Sequence, residues 1–280
     1  MTIRRKEPPN KRKGFLKGRF KKKLSERRMK VEPLTALLPH IITVTALCAG
    51  LTAIRFALQE NWESAIFVVM LAAFLDGVDG RVARLLGTSS HFGAELDSFA
   101  DVINFGIAPA LMMYFFSLHA LGNPGWAVVL FFSICMVLRL ARFNVMAHDE
   151  TKLPLWGKHF SVGAPAPAAA LLCLSPLIFE LAFPKLHFGP VIVAFIMVCV
   201  GGLMVSRIPT MSLKNLPLTQ HDTIPVVLMV VVLLGCLYST PWITLGITII
   251  LYVITMPWVY WKYLNFLKNE KAKAVDKTTL

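Results

Sequence analysis

The chain has 280 residues, of which 56% are hydrophobic and 16% charged, with a mean hydropathy of +0.62 and a formal net charge of +13. This composition is far from that of soluble domains, in which about a quarter of the residues are charged, and it excludes a soluble globular protein. The five cysteines lie in predicted membrane spans without CxxC spacing, which excludes a disulfide scaffold and a zinc site.

The N-terminal segment, residues 1–33, carries 14 basic and three acidic side chains. Beyond Gly14, the residues Leu16, Phe20 and Leu24 recur at a four-residue spacing, which predicts an amphipathic helix in the lipid headgroup region. A basic segment next to a membrane span is typical of attraction to anionic lipids, and it lacks the aromatic motifs of RNA binding. We therefore expect anionic membrane lipids as partners, and no nucleic acid.

Apolar stretches of about 20 residues, long enough to cross a bilayer, follow along the rest of the chain. Eight spans are predicted: 36–57, 62–80, 98–118, 125–146, 164–183, 189–207, 224–240 and 243–261. An even number of spans puts both termini on the same side, and with that side as the cytoplasm 27 of the 29 Lys and Arg residues lie there, as the positive-inside rule predicts. The predicted fold is an all-α, polytopic transmembrane bundle of about eight helices, preceded by a basic juxtamembrane helix.

Four aspartates lie at the cytoplasmic ends of the second and third spans. Asp76 and Asp79 are three residues apart and Asp97 and Asp101 four, so each pair occupies one face of its helix. The connection is short, so the two helices should pack antiparallel and their carboxylates should converge. Two nearby arginines cannot neutralise four charges, each of which costs roughly 2.5–3.5 kcal/mol at membrane depth, so cations must be present or most of the four carboxyl groups must be protonated. Oxygen ligands without cysteine favour Mg²⁺ or Mn²⁺, with Ca²⁺ as an alternative, and several carboxylates suggest two ions.

Small residues lie between and after the first two acids: Gly77, Gly80, Ala83 and Gly87. Close helix packing is one explanation for such a bare helix side. However, Gly80 and Ala83 lead directly to Arg84, so a ligand could lie against the backbone while a guanidinium and a metal hold its phosphates. This combination predicts phosphoryl transfer on a pyrophosphate substrate.

The pattern D-x2-D-G-x2-A-R-x8-G-x3-D-x3-D fits eight residues of this chain: Asp76, Asp79, Gly80, Ala83, Arg84, Gly93, Asp97 and Asp101. It resembles the motif of the CDP-alcohol phosphatidyltransferase family, integral membrane enzymes that move a phosphatidyl or related group from a CDP-linked donor to an alcohol. The resemblance implies a six-helix core over 34–207, two additional transmembrane helices over 208–261 and a basic cytoplasmic tail over 262–280.

The resemblance also implies roles for the acids. Asp76, Asp79 and Asp97 would be metal ligands, and Asp101 would combine metal contact with general-base catalysis. The donor would be CDP-diacylglycerol, bound by Asp79 together with the small residues and the arginine of the motif. Members of the family are commonly homodimers, so we expect one here.

Three features resemble members of the family whose acceptor is L-serine. They are Arg81 directly after the motif glycine, FGAELDSFADVINFGIAPA at 92–110, and LRLARFNV at 138–145. The stretch FSVGAPAPAAA is also similar, although Ala164 stands where leucine is usual. The resemblance therefore implies phosphatidylserine and CMP as products, formed at the cytoplasmic membrane face.

A serine acceptor presents a carboxylate, which requires a cation. Arg139 and Arg142 lie three residues apart on one predicted helix face and are candidates for this role. The alternatives, membrane anchoring or an ion pair with Asp149 or Glu150, are favoured only slightly less. Asn104, one turn after the fourth aspartate, is a further acceptor-binding candidate.

Two other functions fit parts of the pattern. The same chemistry with glycerol 3-phosphate, inositol or choline would use the same base, so only the acceptor pocket distinguishes it. A divalent-cation transporter would spread its acids along the membrane or repeat them in an inverted half. The clustering of the aspartates at one end argues against transport.

Overall fold

The computed structural model describes residues 34–88, 90–148, 161–206, 209–210 and 223–278. Within these ranges the chain is almost entirely helical, which confirms the predicted helical class. The exception is a pair of two-residue strands, β1 (Ser161–Val162) and β2 (Pro209–Thr210), which run antiparallel. The predicted amphipathic helix within residues 1–33 lies outside the described part of the chain.

The first two helices form a hairpin. α1 (Leu34–Leu58) and α2 (Trp62–Leu86) are joined by a short turn, and the Asn61 side chain begins α2 by accepting a hydrogen bond from the Ser64 N–H at 3.2 Å. Buried alanines line both helices: Ala46, Ala49, Ala53, Ala57, Ala65 and Ala72. Such small side chains let two backbones approach closely where no water drives the packing.

A tight connection turns the chain from α2 into α3 (His91–Asp101). Gly87 ends α2 with φ at 63°, a left-handed conformation that glycine adopts without a Cβ clash. Ser90 begins α3, because its hydroxyl accepts a hydrogen bond from the Gly93 N–H at 3.0 Å. The two caps fix the point at which α2 and α3 turn back on each other.

α3 continues directly into a π-helical turn (Val102–Ile107) and α4 (Ala108–Phe116). The wider turn comes just before Pro109, which has no N–H to donate to the preceding turn. The predicted start of this span, at residue 98, is therefore too late. The polar stretch before it is not apolar enough to count as a span, yet it is capped and helical.

The next helices are α5 (Asn123–His148), α6 (Ala166–Cys173), α7 (Ser175–Ala182), α8 (Pro190–Val205), α9 (Thr223–Ser239) and α10 (Pro241–Thr278). The predicted fifth span is divided into α6 and α7, which meet at Leu174, just before Pro176. α10 extends well past the predicted end at 261, into the predicted tail. α5 packs against α8, and α10 packs against α7 and β2.

Among the residues that the structure describes, four helical stretches are long and apolar enough to cross a membrane: Leu37–Leu58, His91–Phe116, Asn123–Met146 and Pro241–Val259. Two shorter apolar helices are Pro190–Val205 and Val227–Ser239. Large side chains such as Phe67 and Phe195 are each 69% exposed on the outside of the bundle. Length and composition thus indicate an integral membrane protein and support four of the eight predicted spans.

We predict that Gly50→Ala destabilises the fold, because a Cβ there would overlap the Asn104 side-chain amide of the π-helical turn. Overpacking of this kind costs about 1–3 kcal/mol. The midpoint of thermal unfolding in detergent should fall for Gly50→Ala, but not for the control Gly202→Ala, where a Cβ meets nothing within 4 Å. Equal midpoints for both variants would contradict the packing of α1 on this turn.

Candidate active site

Three carboxylates meet where α2 and α3 lie side by side. Asp76, Asp97 and Asp101 each offer an oxygen atom, and these atoms all lie within 4.8 Å of one another. Asp76 lies ten residues before the end of α2 and Asp101 ten residues after the start of α3, so the turn between the helices brings them to one level. The structure therefore brings together three of the four aspartates that the sequence places in one site; we call these three the acidic cluster.

The fourth aspartate, Asp79, lies beside the acidic cluster and faces α1. It is only 4% exposed, and the Thr43 hydroxyl donates a hydrogen bond to its Oδ2 at 2.5 Å. The same hydroxyl lies 3.0 Å from the Pro39 carbonyl oxygen, one turn earlier in α1. Sequence analysis missed Thr43, although a threonine one turn after a proline in an apolar helix is a visible polar signal.

A cleft of about 170 Å³ opens next to Asp79 and Asp97. Its other lining residues come from α1, α2, the connection after α2 and the start of α3: Pro39, His40, Thr43, Gly80, Ala83, Thr88, Ser90, Gly93 and Ala94. A Cβ built on Gly80 meets nothing within 4 Å, so this part of α2 offers bare backbone to open space. The predicted donor residues Gly80 and Ala83 thus line a cleft that borders two of the aspartates.

His40 forms one wall of the cleft. Its Nε2 lies 3.3 Å from the Ser90 hydroxyl, and its ring meets Phe92 edge to face at 5.6 Å between centroids. A Cβ on Gly93 would come within 2.6 Å of the His40 ring, so a larger residue at this motif position would clash with His40. Sequence analysis missed His40, because nothing in the local pattern of α1 indicates a neighbour 50 residues away.

Arg84, the predicted phosphate ligand, is exposed on α2. Its Nε donates a hydrogen bond to the Gly80 carbonyl oxygen at 3.0 Å, one turn back on the same helix. The guanidinium therefore lies along α2 near the bare backbone of the cleft, although Arg84 is not among the residues that line it.

Arg139 of α5 lies near the acidic cluster. It is 9% exposed, its Nε donates to the Ala164 carbonyl oxygen at 2.6 Å, and it interacts electrostatically with Asp101. Asn144, one turn further along α5, donates to the Ser98 hydroxyl of α3 at 3.0 Å. These contacts bring residues 138–145 and 161–170, which belong to two stretches singled out in the sequence, to the same site.

Arg142 has different surroundings. Its guanidinium donates to the carbonyl oxygens of Val205 at 2.8 Å, Met204 at 3.2 Å and Ser206 at 3.3 Å. A cation at the C-terminal end of a helix is stabilised by the carbonyl groups that have no partner within the helix. Arg142 thus holds the end of α8 against α5, while the alternative partners Asp149 and Glu150 lie outside the described residues.

Asn104 lies in the π-helical turn and is fully buried against Gly50 of α1. Neither atom of its amide group has a hydrogen-bond partner among the described residues, and the same holds for Oδ1 of Asp101 and the hydroxyl of Tyr252. Buried polar atoms without partners are costly, which makes them candidates for contact with a ligand.

The family model of CDP-alcohol phosphatidyltransferase matches residues 36–206, which include the acidic cluster, Asp79 and Arg139. A CDP-diacylglycerol–serine O-phosphatidyltransferase of Mycobacterium leprae is 39% identical over 225 residues, which cover 79% of this chain and 73% of that protein.

Two further relatives carry the same name. The protein of Mycobacterium bovis is 36% identical over 222 residues, covering 79% of this chain and 77% of its own length. That of Helicobacter pylori strain J99 is 32% identical over 252 residues, covering 87% of this chain and all of its own length. The chain therefore belongs to the CDP-alcohol phosphatidyltransferase family.

Proposed function

We propose that this protein transfers the phosphatidyl group of CDP-diacylglycerol to the hydroxyl of L-serine, which gives phosphatidylserine and CMP. The observation that carries the proposal is the position of Asp101, which belongs to the acidic cluster and also interacts electrostatically with the buried Arg139. An acceptor whose carboxylate pairs with Arg139 would present its hydroxyl near Asp101. The names of the relatives support serine as this acceptor.

The acidic cluster fits a divalent cation. Asp76, Asp97 and Asp101 would hold it, with Asp79 beside them, and the oxygen-only ligand set favours Mg²⁺ or Mn²⁺. The number of carboxylates in so small a volume supports two ions. When bound, such ions neutralise the pyrophosphate and stabilise the charge that develops on the departing CMP.

The donor's nucleotide end would occupy the cleft beside Asp79. Gly80 and Ala83 leave room for a pyrophosphate to approach the backbone of α2, since a side chain larger than methyl at either position would extend into the cleft. Arg84 would exchange its hydrogen bond with the Gly80 carbonyl for phosphate oxygens, which are better acceptors for a guanidinium.

The chemical step would be carried by Asp101. Its carboxylate would take the proton of the serine hydroxyl as that oxygen attacks the β-phosphorus in line with the departing CMP. A new P–O bond forms, the bond to CMP breaks, and the proton stays on Asp101. Arg139 would orient the acceptor by pairing with its carboxylate, a geometry that the planar guanidinium suits.

Arg139 is a better candidate for the acceptor's cation than Arg142, because Arg142 already bonds to three backbone carbonyl groups at the end of α8. Asn104 stays a candidate for a polar contact with the acceptor, since its buried amide has no partner among the described residues.

The orientation of the protein in the membrane is proposed from its sequence. We place both termini and the site at the cytoplasmic face because 27 of the 29 basic residues then lie on that side. A cysteine introduced at Ile3 or Thr278 tests this orientation, because labelling of it from outside intact cells would contradict a cytoplasmic position. Eight spans, binding of anionic lipids by residues 1–33 and a homodimer also stay predictions.

The reaction can be tested with purified protein, CDP-diacylglycerol, Mg²⁺ or Mn²⁺, and labelled serine, glycerol 3-phosphate, inositol or choline. We expect CMP release and lipid-linked label with serine alone. Label from another alcohol, with serine inert, would contradict the acceptor but keep the chemistry. No CMP with any alcohol, together with ion uptake into liposomes, would favour a transporter.

Metal dependence is tested by chelation in the same assay. EDTA should abolish CMP release, and Mg²⁺ or Mn²⁺ should restore it while Zn²⁺ should not. Binding of Mn²⁺, followed by electron paramagnetic resonance without substrate, should weaken in Asp76→Ala and Asp97→Ala. Full activity in EDTA, or unchanged Mn²⁺ binding by both variants, would rule out this assignment of the acidic cluster.

Asp101→Asn should separate chemistry from binding, because the amide keeps its size and one ligand oxygen but loses basicity. A positioned base contributes typically 10²–10⁴-fold, so serine-dependent turnover should fall by at least about 10²-fold while much of the CDP-diacylglycerol affinity remains. Glu95→Gln, an exposed change on the same helix, is the matched control and should leave both unchanged. Near-normal turnover of Asp101→Asn would exclude it as the base, and loss of donor binding would make it chiefly a metal ligand.

A further inference from the structure

The last long helix, α10, lies outside the part of the chain that the family model matches, residues 36–206. It is nevertheless part of the packed core. Leu245 and Ile249 are 5% and 4% exposed, and Gly246 packs against the Phe179 ring of α7. One face of α10 is therefore fixed against the bundle.

Tyr252 continues this face, three residues after Ile249. Its ring packs against the hydrophobic core, which leaves little freedom for the hydroxyl at its end. That hydroxyl is buried and has no hydrogen-bond partner among the described residues. A buried tyrosine hydroxyl usually has such a partner. This hydroxyl is therefore a candidate for a hydrogen bond to a bound ligand.

The surroundings of the hydroxyl indicate which contact this is. α10 packs against β2, and the partner strand β1 ends two residues before Ala164, whose carbonyl oxygen binds Arg139. Tyr252 and Arg139 interact electrostatically, and Arg139 in turn interacts with Asp101. Asp101 lies ten residues into α3 and Arg139 nine residues before the end of α5, so both lie roughly 15 Å from the same end of the bundle. A cation, a neutral donor and a carboxylate thus lie in one region, which suits a small molecule with both a carboxylate and a hydroxyl group.

We propose that the Tyr252 hydroxyl, on a helix outside the family's matched core, donates a hydrogen bond to the carboxylate of the serine acceptor beside Arg139. This inference rests on the proposed function, because it assigns a contact to that reaction's acceptor. Arg139 supplies the charge, but its Nε is already bonded to the Ala164 carbonyl oxygen. The tyrosine supplies a second, neutral donor from another direction, so the carboxylate is held in one orientation.

Tyr252→Phe tests the contact, since it removes the hydroxyl and keeps the ring. A hydrogen bond to a charged group is worth enough to change affinity by about 10-fold or more. The KM for L-serine should rise by about that factor while the KM for CDP-diacylglycerol stays the same. Serine methyl ester, which lacks the carboxylate, should be used equally well by Tyr252→Phe and the wild type.

Thermal unfolding separates this role from a structural one. Because the hydroxyl has no partner among the described residues, its loss should leave the unfolding midpoint unchanged or slightly raised. Tyr238→Phe is the matched control, since Tyr238 is 93% exposed on the preceding helix and should change neither KM.

An unchanged KM for serine in Tyr252→Phe would overturn the inference, and so would an equal rise in both KM values or a lowered unfolding midpoint. Failure of the proposed function looks different. It would appear in the wild type as absence of serine-dependent CMP release, which would overturn both proposals.

Discussion

The concentration of negative charge inside an apolar bundle is the constraint on which the rest of this site depends. Three carboxylates with oxygens within 4.8 Å of one another repel strongly, and their partial burial between helices reduces the screening of that repulsion by water. The arrangement is stable only if some of the carboxyl groups are protonated, or if cations and hydrogen-bond donors surround them. Two such groups come from the chain itself: the Thr43 hydroxyl, which donates to Asp79 beside the cluster, and Arg139, which interacts electrostatically with Asp101.

The packing of the first helices follows from this requirement. Alanines along α1 and α2 bring the backbones close enough for the Thr43 hydroxyl to reach Asp79, whereas larger side chains would hold the helices apart. The caps at Gly87 and Ser90 then set where α3 begins, and so the level at which its aspartates meet Asp76. Small residues in this region are thus part of the chemistry as well as the fold.

The sequence predicted most of what depends on local spacing. Acids three and four residues apart must share a helix face, and a short connection must return the chain beside itself, so the meeting of α2 and α3 could be anticipated. The start of α3 could not, because its first turns are polar and depend on a serine cap. The division between α6 and α7 at Leu174 was also missed, since hydropathy does not register the lost N–H of Pro176.

Partners distant in sequence were beyond such reasoning. His40 meets Ser90 across 50 residues, and Tyr252 approaches Arg139 across more than a hundred, and no periodicity within one helix encodes either contact. Spacing within one helix was also not enough to predict the partners of Arg139 and Arg142. Their spacing predicts a shared face, but Arg139 contacts the Ala164 loop while Arg142 extends to the end of α8.

The π-helical turn after Asp101 has a consequence for how the third helix divides its contacts. In an α-helix, Asn104 would lie almost above Asp101, and both would face the same neighbour. A wider turn rotates the following residues, so the acids face α2 while the amide of Asn104 lies on Gly50 of α1. One continuous helical segment can therefore contact both α2 and α1 at nearly the same depth. The angle between its two contact faces is set by the winding of the backbone, and not by which side chains it carries.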